Sequence, residues 1–235
     1  MSDAGGDTGI NGIGAGLRTT VLVSGSGTNL QAIIDQTLGG ELPVNLNAVV
    51  SDRPEAFGLE RAKRAGVPTH TVNYSDFTER DEAERALTAR LDALNPDLVV
   101  LAGFMRILPP TLVSRFEGRT LNIHPSLLPR YRGLNTYRRV LAAGDAAHGS
   151  TVHYVTPELD AGPSIIQYRV EIAPDETEET LAARVQQGEY IIYSRVIGWI
   201  AAGRLKLNAG RVWLDDEKLE RPVILEESEK DSINY

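Results

Sequence analysis

Asn122, His124 and Asp160 are the side chains in this sequence whose types and spacing suit acyl-type chemistry. Asn122 and His124 stand two apart in Thr120–His124, an apolar run cut off by Pro125. In a strand, residues two apart project to the same face. An amide and an imidazole would then sit side by side. The amide N–H can stabilise a developing oxyanion, and the imidazole can move a proton near neutral pH. Pro125 and Pro129 stiffen the segment that follows. Asp160 lies in a turn, Glu158 to Pro163, where aspartate is common for purely local reasons. If the fold brings it to His124, its carboxylate would orient the ring and raise its pKa. Spacing alone leaves that meeting open.

A second constellation is Gly25 to Asn29. Glycines before a helix start expose backbone N–H groups, and the helix dipole adds to their attraction for an anion. No Gly-Lys-Ser/Thr follows, and Leu30 stands where a dinucleotide fingerprint needs its third glycine. A tight turn without a ligand is the alternative. Phe104 to Leu108 could wall a pocket for a flat ligand or simply continue the core. The remaining histidines, His70, His148 and His153, read as packing or hydrogen-bonding residues. With four scattered histidines and no cysteine, no metal site, thiol chemistry or disulfide is expected.

These residues need a scaffold. Arg18–Ser24 is a β-branched apolar run that ends at the glycines, and Leu30–Asp35 has helical spacing, so a βα unit begins the fold. Strands are expected at 44–51, 69–72, 97–102 and 120–124, with helices at 56–65, from Ser75 to Leu94, and at 111–116. Asp97–Ala102 lacks alternation, as a strand buried on both faces does. The repeated strand–helix order predicts an α/β, doubly wound, mostly parallel Rossmann-like sheet, which puts Asn122 and His124 at a carboxyl end, where such sheets bind ligands. After Thr136–Ala143, a helix, the style changes. Strands at 149–156 and 163–170 suggest an antiparallel hairpin, a long helix follows from Glu178 to about Ala202 with Gly188 offering a break, and 204–216 suggests a last hairpin.

Composition bounds the function. A chain of 235 residues, 42% hydrophobic and 24% charged, can bury one large α/β core. The expected organisation is a polar tail over 1–17, a single domain over 18–216 and a charged tail over 217–235. A net charge of -8 argues against nucleic-acid binding. No apolar run has the roughly 18 residues of a membrane span, and no signal peptide opens the chain, so no membrane partner and a cytoplasmic location are expected.

Taken together, the motifs resemble those of the phosphoribosylglycinamide formyltransferases, from about Thr19 to Leu214. Ser24–Ile34 resembles that family's ribose-phosphate loop, Leu101–Leu108 its folate segment, Leu121–Pro129 its catalytic strand and loop, and His148–Val155 with Leu159–Pro163 the hairpin that carries its aspartate. The resemblance implies formyl transfer from 10-formyltetrahydrofolate to glycinamide ribonucleotide in purine biosynthesis, with no metal. It implies catalytic roles for Asn122, His124 and Asp160, and contacts to the phosphorylated amine from Gly27, Thr28, Asn29 and Glu189. The folate side would be lined by Arg80, Met105, Arg106, Ile107, Leu108 and Asn122. A monomer or homodimer acting on small molecules is expected. The alternatives are a formyltetrahydrofolate hydrolase, with water in place of the amine, or another folate-dependent formyltransferase. In one place the sequence departs from the family: Gly133–Tyr137 lacks the histidine often found after the catalytic loop.

Overall fold

In a computed structural model, residues 12–230 are described. The first unit is built as its sequence dictates. Strand β2 (Leu17–Val23) runs into the glycine turn, and helix α1 (Thr28–Leu38) leaves it. Strand β3 (Val44–Ser51), helix α2 (Phe57–Arg64) and the short β4 (Thr69–Thr71) follow. Helix α3 (Arg80–Leu94) leads to β5 (Leu98–Leu101), then α4 (Pro110–Arg115) and β6 (Thr120–His124). Helix α5 (Thr136–Ala143) precedes β7 (Ala147–Tyr154) and β8 (Ser164–Glu171), and α6 (Glu178–Ala201) packs back on the sheet. Strands β9 (Leu205–Asn208), β10 (Arg211–Leu214) and β11 (Glu217–Lys218) form a separate antiparallel sheet.

The central sheet has the order β1-β3-β2-β5-β6-β7-β8-β12, with β1 at Ile13–Gly14, β12 at Val223–Glu226 and β4 also on β3. Pairing is parallel from β4 through β3, β2 and β5 to β6, and antiparallel from β6 through β7 to β8. The chain winds outward from β2 to β3 and then returns to β5 on the other side. The crevice at that reversal, outside the carboxyl ends of the strands, is where open α/β sheets bind ligands.

The non-alternating strands are buried on both faces. Val21, Val23 and Val100 join Ile33 and Ile34 of α1, Leu59 of α2 and Ile192 and Val196 of α6 in one apolar layer. Leu22, Val99 and Leu101 point the other way, onto Leu87 and Leu91 of α3 and Leu112 and Val113 of α4. Each such side chain contributes about 1.5–3 kcal/mol on leaving water. The layers hold the strand ends rigid beneath the crevice.

Four expectations need correction. Helix α3 starts at Arg80 rather than Ser75, because the Asn73 side chain accepts from the Ser75 N–H and a single 3-10 turn over Tyr74–Asp76 results. Helix α6 does not break at Gly188. A Cβ there would lie 1.9 Å from the Tyr168 ring, so glycine serves close packing of α6 on β8. The tail expected over 1–17 gives way to β1 and the start of β2 from residue 13, while residues 1–11 lie outside the described residues. The tail expected over 217–235 instead carries β11 and β12, and β12 pairs in parallel with β8 as the last strand of the main sheet; residues 231–235 lie outside the described residues. No described helix is long and apolar enough to cross a membrane.

Candidate active site

A cleft of about 620 Å³ opens over the carboxyl ends of β5 and β6. Asn122, His124 and Asp160 all line it. His124 Nδ1 lies 3.4 Å from Asp160 Oδ2, and its Nε2 donates over 3.0 Å to the Tyr131 carbonyl. Both ring nitrogens therefore face acceptors. The separation of 3.4 Å is long for a hydrogen bond.

Asp160 adopts a left-handed backbone, φ 49°, one of the few conformations that aspartate tolerates better than most residues. That turn brings its side chain inward, where it is nearly buried. Its Oδ2 accepts 2.9 Å from the Gly133 N–H, and its Oδ1 lies 3.8 Å from His153 Nε2. Gly133–Tyr137, the stretch that lacks a histidine, thus reaches the carboxylate through backbone.

His153 is the residue that sequence reasoning left aside. It stands directly opposite Asn122 in the β6–β7 register. Its Nδ1 is 2.9 Å from the Tyr154 carbonyl, so Nδ1 must carry a proton and donate. Burial depresses the ring's pKa, with the Tyr154 hydrogen bond and Asp160 opposing, so the ring is neutral and Nε2 is an acceptor. Asn122 Nδ2 lies 3.2 Å from that lone pair. The amide is therefore held with its NH₂ toward His153, leaving its second N–H and its carbonyl for the cleft. A histidine on an expected strand gave no signal for this, because the antiparallel pairing of β6 with β7 is a long-range feature.

The loop after β6 is fixed by more than its prolines. Thr151 Oγ1 donates 2.6 Å to the Ser126 carbonyl and accepts 3.1 Å from the Leu128 N–H, while Gln167 Nε2 donates 2.8 Å to the Leu128 carbonyl. His148 lies below, edge-on to the Tyr137 ring at 5.2 Å. Burial holds its pKa down to about 4. The Tyr137 phenol is pushed up by burial and by the neighbouring Glu189 carboxyl.

At the glycine turn, Gly27 caps α1 with φ 68°, and a Cβ there would lie 2.6 Å from Gly58 Cα. Only glycine fits. No side chain caps the first turn of α1, so its leading N–H groups stay available, and no acidic residue in that turn repels an anion. Thr28 Oγ1 accepts 3.1 Å from Gln186 Nε2. Asn29 Nδ2 donates 2.9 Å to Glu189 Oε2, while Asn29 Oδ1 is buried with no hydrogen-bond partner among the described residues. Ser150 Oγ donates 2.9 Å to the His124 carbonyl and sits 3.1 Å from Glu189 Oε1. Burial pushes the Glu189 carboxyl up, against the hydrogen bonds from Asn29 and Ser150. One continuous run of contacts therefore joins the glycine turn to the strand that carries His124.

The segment after β5 supplies the apolar wall. Leu101, Phe104, Met105, Ile107, Leu108 and Val113 all line the cleft. Met105 and Ile107 are exposed at its rim, whereas Leu108 is buried. Arg106 also lines it, with its Nε donating 2.7 Å to Asp52. Arg80 is placed differently from the expectation. It is not among the cleft-lining residues, pairs with Glu84 at 2.6 Å on the surface of α3, and reaches the cleft wall only through the Ile107 carbonyl at 3.3 Å. Among the described residues, no cluster of three or more histidine or carboxylate side chains could hold a metal.

Sheet order, the carboxyl-end crevice and a convergent amide, imidazole and carboxylate describe an acyl-transfer protein of the α/β class. The chain belongs to the formyl transferase family, whose pattern matches residues 17–197. It is 50% identical over 203 residues to phosphoribosylglycinamide formyltransferase from Escherichia coli, covering 86% of this chain and 96% of that protein. The structure of phosphoribosylglycinamide formyltransferase from Coxiella burnetii, in complex with CHES, superposes with a TM-score of 0.85 at 48% identity, covering 89% of this chain and 99% of that one. A formyltetrahydrofolate deformylase from Pseudomonas syringae has a TM-score of 0.78 at 25% identity, over 84% of this chain and 66% of that one.

Proposed function

We propose that this protein transfers the formyl group of 10-formyltetrahydrofolate to the amine of glycinamide ribonucleotide, giving formylglycinamide ribonucleotide and tetrahydrofolate, a cytoplasmic step of purine biosynthesis. The observation that carries this reading is the run of contacts from Asn29 through Glu189 and Ser150 to the His124 backbone. It sets an anion-accepting helix start beside the amide, imidazole and carboxylate, as a phosphorylated amine and an acyl donor require. The names of the similar proteins above agree with it.

Gly27, Thr28 and Asn29 hold the phosphate and ribose, and Glu189 accepts a hydroxyl or ammonium hydrogen bond. Met105 to Leu108 bind the folate in the apolar cleft, and Arg80 steadies that segment from outside. The amine nitrogen forms a bond to the formyl carbon while the bond from that carbon to the folate nitrogen breaks. Asn122 donates its free N–H to the developing oxyanion, and the His124 imidazolium, its two N–H groups turned to Asp160 and the Tyr131 carbonyl, stabilises the same charge electrostatically. Asp160 keeps the imidazolium in place, takes the amine's proton through water and returns it by the same route to the folate nitrogen as that nitrogen leaves. No covalent enzyme intermediate is needed. Holding the two reactants in line supplies several of the roughly 7–11 kcal/mol that good orientation can contribute.

The test is incubation with 10-formyltetrahydrofolate, with and without glycinamide ribonucleotide. Folate turnover that requires the amine supports transfer. Turnover at equal rate without the amine replaces this reading with the hydrolase.

A further inference from the structure

The carboxyl ends of three adjacent strands, β3, β2 and β5, are tied together by one buried carboxylate that the chemistry above does not use. Asp52 follows β3 and is almost completely buried. Its Oδ1 accepts 2.5 Å from the Ser24 hydroxyl, at the end of β2. Its Oδ2 accepts 2.7 Å from Arg106 Nε, in the segment after β5. Ser24 closes the ring of contacts: its Oγ accepts 2.8 Å from the Met105 N–H, and its own N–H donates 3.1 Å to the Gly103 carbonyl.

The geometry is specific in its donors and acceptors. The Ser24 hydroxyl has one proton, and it goes to Asp52. The lone pairs that remain face the Met105 amide. A carboxylate offers a separate acceptor oxygen to the hydroxyl and to the guanidinium, where an amide of the same shape would turn an NH₂ toward one of them. The guanidinium itself is fixed on its other side, lying 4.7 Å over the Tyr74 ring. A buried charge of this kind is costly unless paired and hydrogen-bonded, so its arrangement is tightly specified. Ser24 is also the residue immediately before Gly25, the first of the glycine turn.

We infer that Asp52 is a positioning residue that, through Ser24 and Arg106, holds the folate-side segment Gly103–Leu108 in its binding shape against the end of β2. It touches neither reacting atom. Its action is on the backbone of Met105 and the side chain of Arg106, both on the cleft wall. The inference rests on the proposed formyl transfer for its substrates.

The experiment compares wild type with Asp52→Asn, Ser24→Ala and the double variant. Asp52→Asn keeps the volume but turns one acceptor oxygen into a donor. Tetrahydrofolate affinity is read by calorimetry in the absence of the amine, and kcat and KM are read for each substrate. The expected result is a loss of roughly tenfold in tetrahydrofolate affinity and a matching rise in the formylfolate KM. In Asp52→Asn, kcat should stay within about threefold and the KM for glycinamide ribonucleotide within about twofold. The double variant should be no worse than the worse single one, since coupled groups are not additive. Ser24→Thr, which keeps the hydroxyl, should recover most of the affinity. If Asp52→Asn does not fold, the Ser24→Ala and Ser24→Thr pair decides the matter by the same readouts. Unchanged tetrahydrofolate affinity in a folded variant, or an equal fall in kcat with both KM values unmoved, overturns the inference. Absence of amine-dependent turnover in wild type would instead remove the proposed function, and the calorimetry would still report on the segment.

Discussion

At the scale of single residues, the candidate chemistry rests on three side chains and one neutral ring that orients them. Asn122→Ala removes one oxyanion donor, and kcat should fall by about 10²–10³ with the fold retained. Rapid-quench or steady-state rates beside circular dichroism check both halves. His153→Phe removes the acceptor that sets the Asn122 amide, so kcat should fall by at least tenfold although the ring has no part in the bond-making; a variant with wild-type kcat refutes that role. His148 gives a pH effect with a defined sign. Its folded pKa of about 4 lies below its ordinary 6.5, so between those values the unfolded chain binds the extra proton. Its full contribution is present above about pH 6.5 and is lost as the pH falls toward 4. The loss is on the order of 2–3 kcal/mol. His148→Phe should show a shallower fall in Tm over that range, and parallel Tm curves would count against it.

Among the elements, the strands and helices around the parallel sheet were readable from apolar runs and glycine or proline stops. Asn122 and His124 on one strand end were equally readable, because spacing of two fixes a shared face. The pairing of β6 with β7 was not, since no local signal in 147–154 says which strand lies beside it. The partners of His153, Ser150 and Thr151 cannot be read from the sequence for that reason, although His153 reads there as a packing or hydrogen-bonding residue. The start of α3 was misjudged because Asn73 offers a local hydrogen bond that competes with the helix. Gly188 was misjudged because a glycine can serve packing as well as breakage. Gly188→Ala should cost about 1–3 kcal/mol, the usual penalty of overpacking, or more given the rigid ring beneath it. Urea unfolding measures this, and a change below 0.5 kcal/mol, a threshold on the order of surface-site scatter, would mean that α6 shifts freely.

Across the molecule, β12 closes one edge of the main sheet. β12 covers the outer edge of β8, and Arg169 pairs with Glu226 at 3.1 Å while Arg184 pairs with Glu227. A chain cut after residue 222 should expose that edge, lower Tm by several degrees and associate at raised concentration, because an unpaired strand invites another. Light scattering against concentration checks it. The sequence offers only a charged tail over 217–235 there, since a four-residue strand leaves little periodicity to read.

The two substrate-facing loops leave neighbouring strands of one rigid rim and share only the Ser24, Asp52 and Arg106 contacts beneath them. Under the proposed function, acceptor choice lies in one turn and donor choice in another, over a common floor that carries the transfer. Such a layout lets descendants of one ancestor trade the molecule that receives the group, by rewriting a handful of codons after β2, without disturbing how the carrier is gripped.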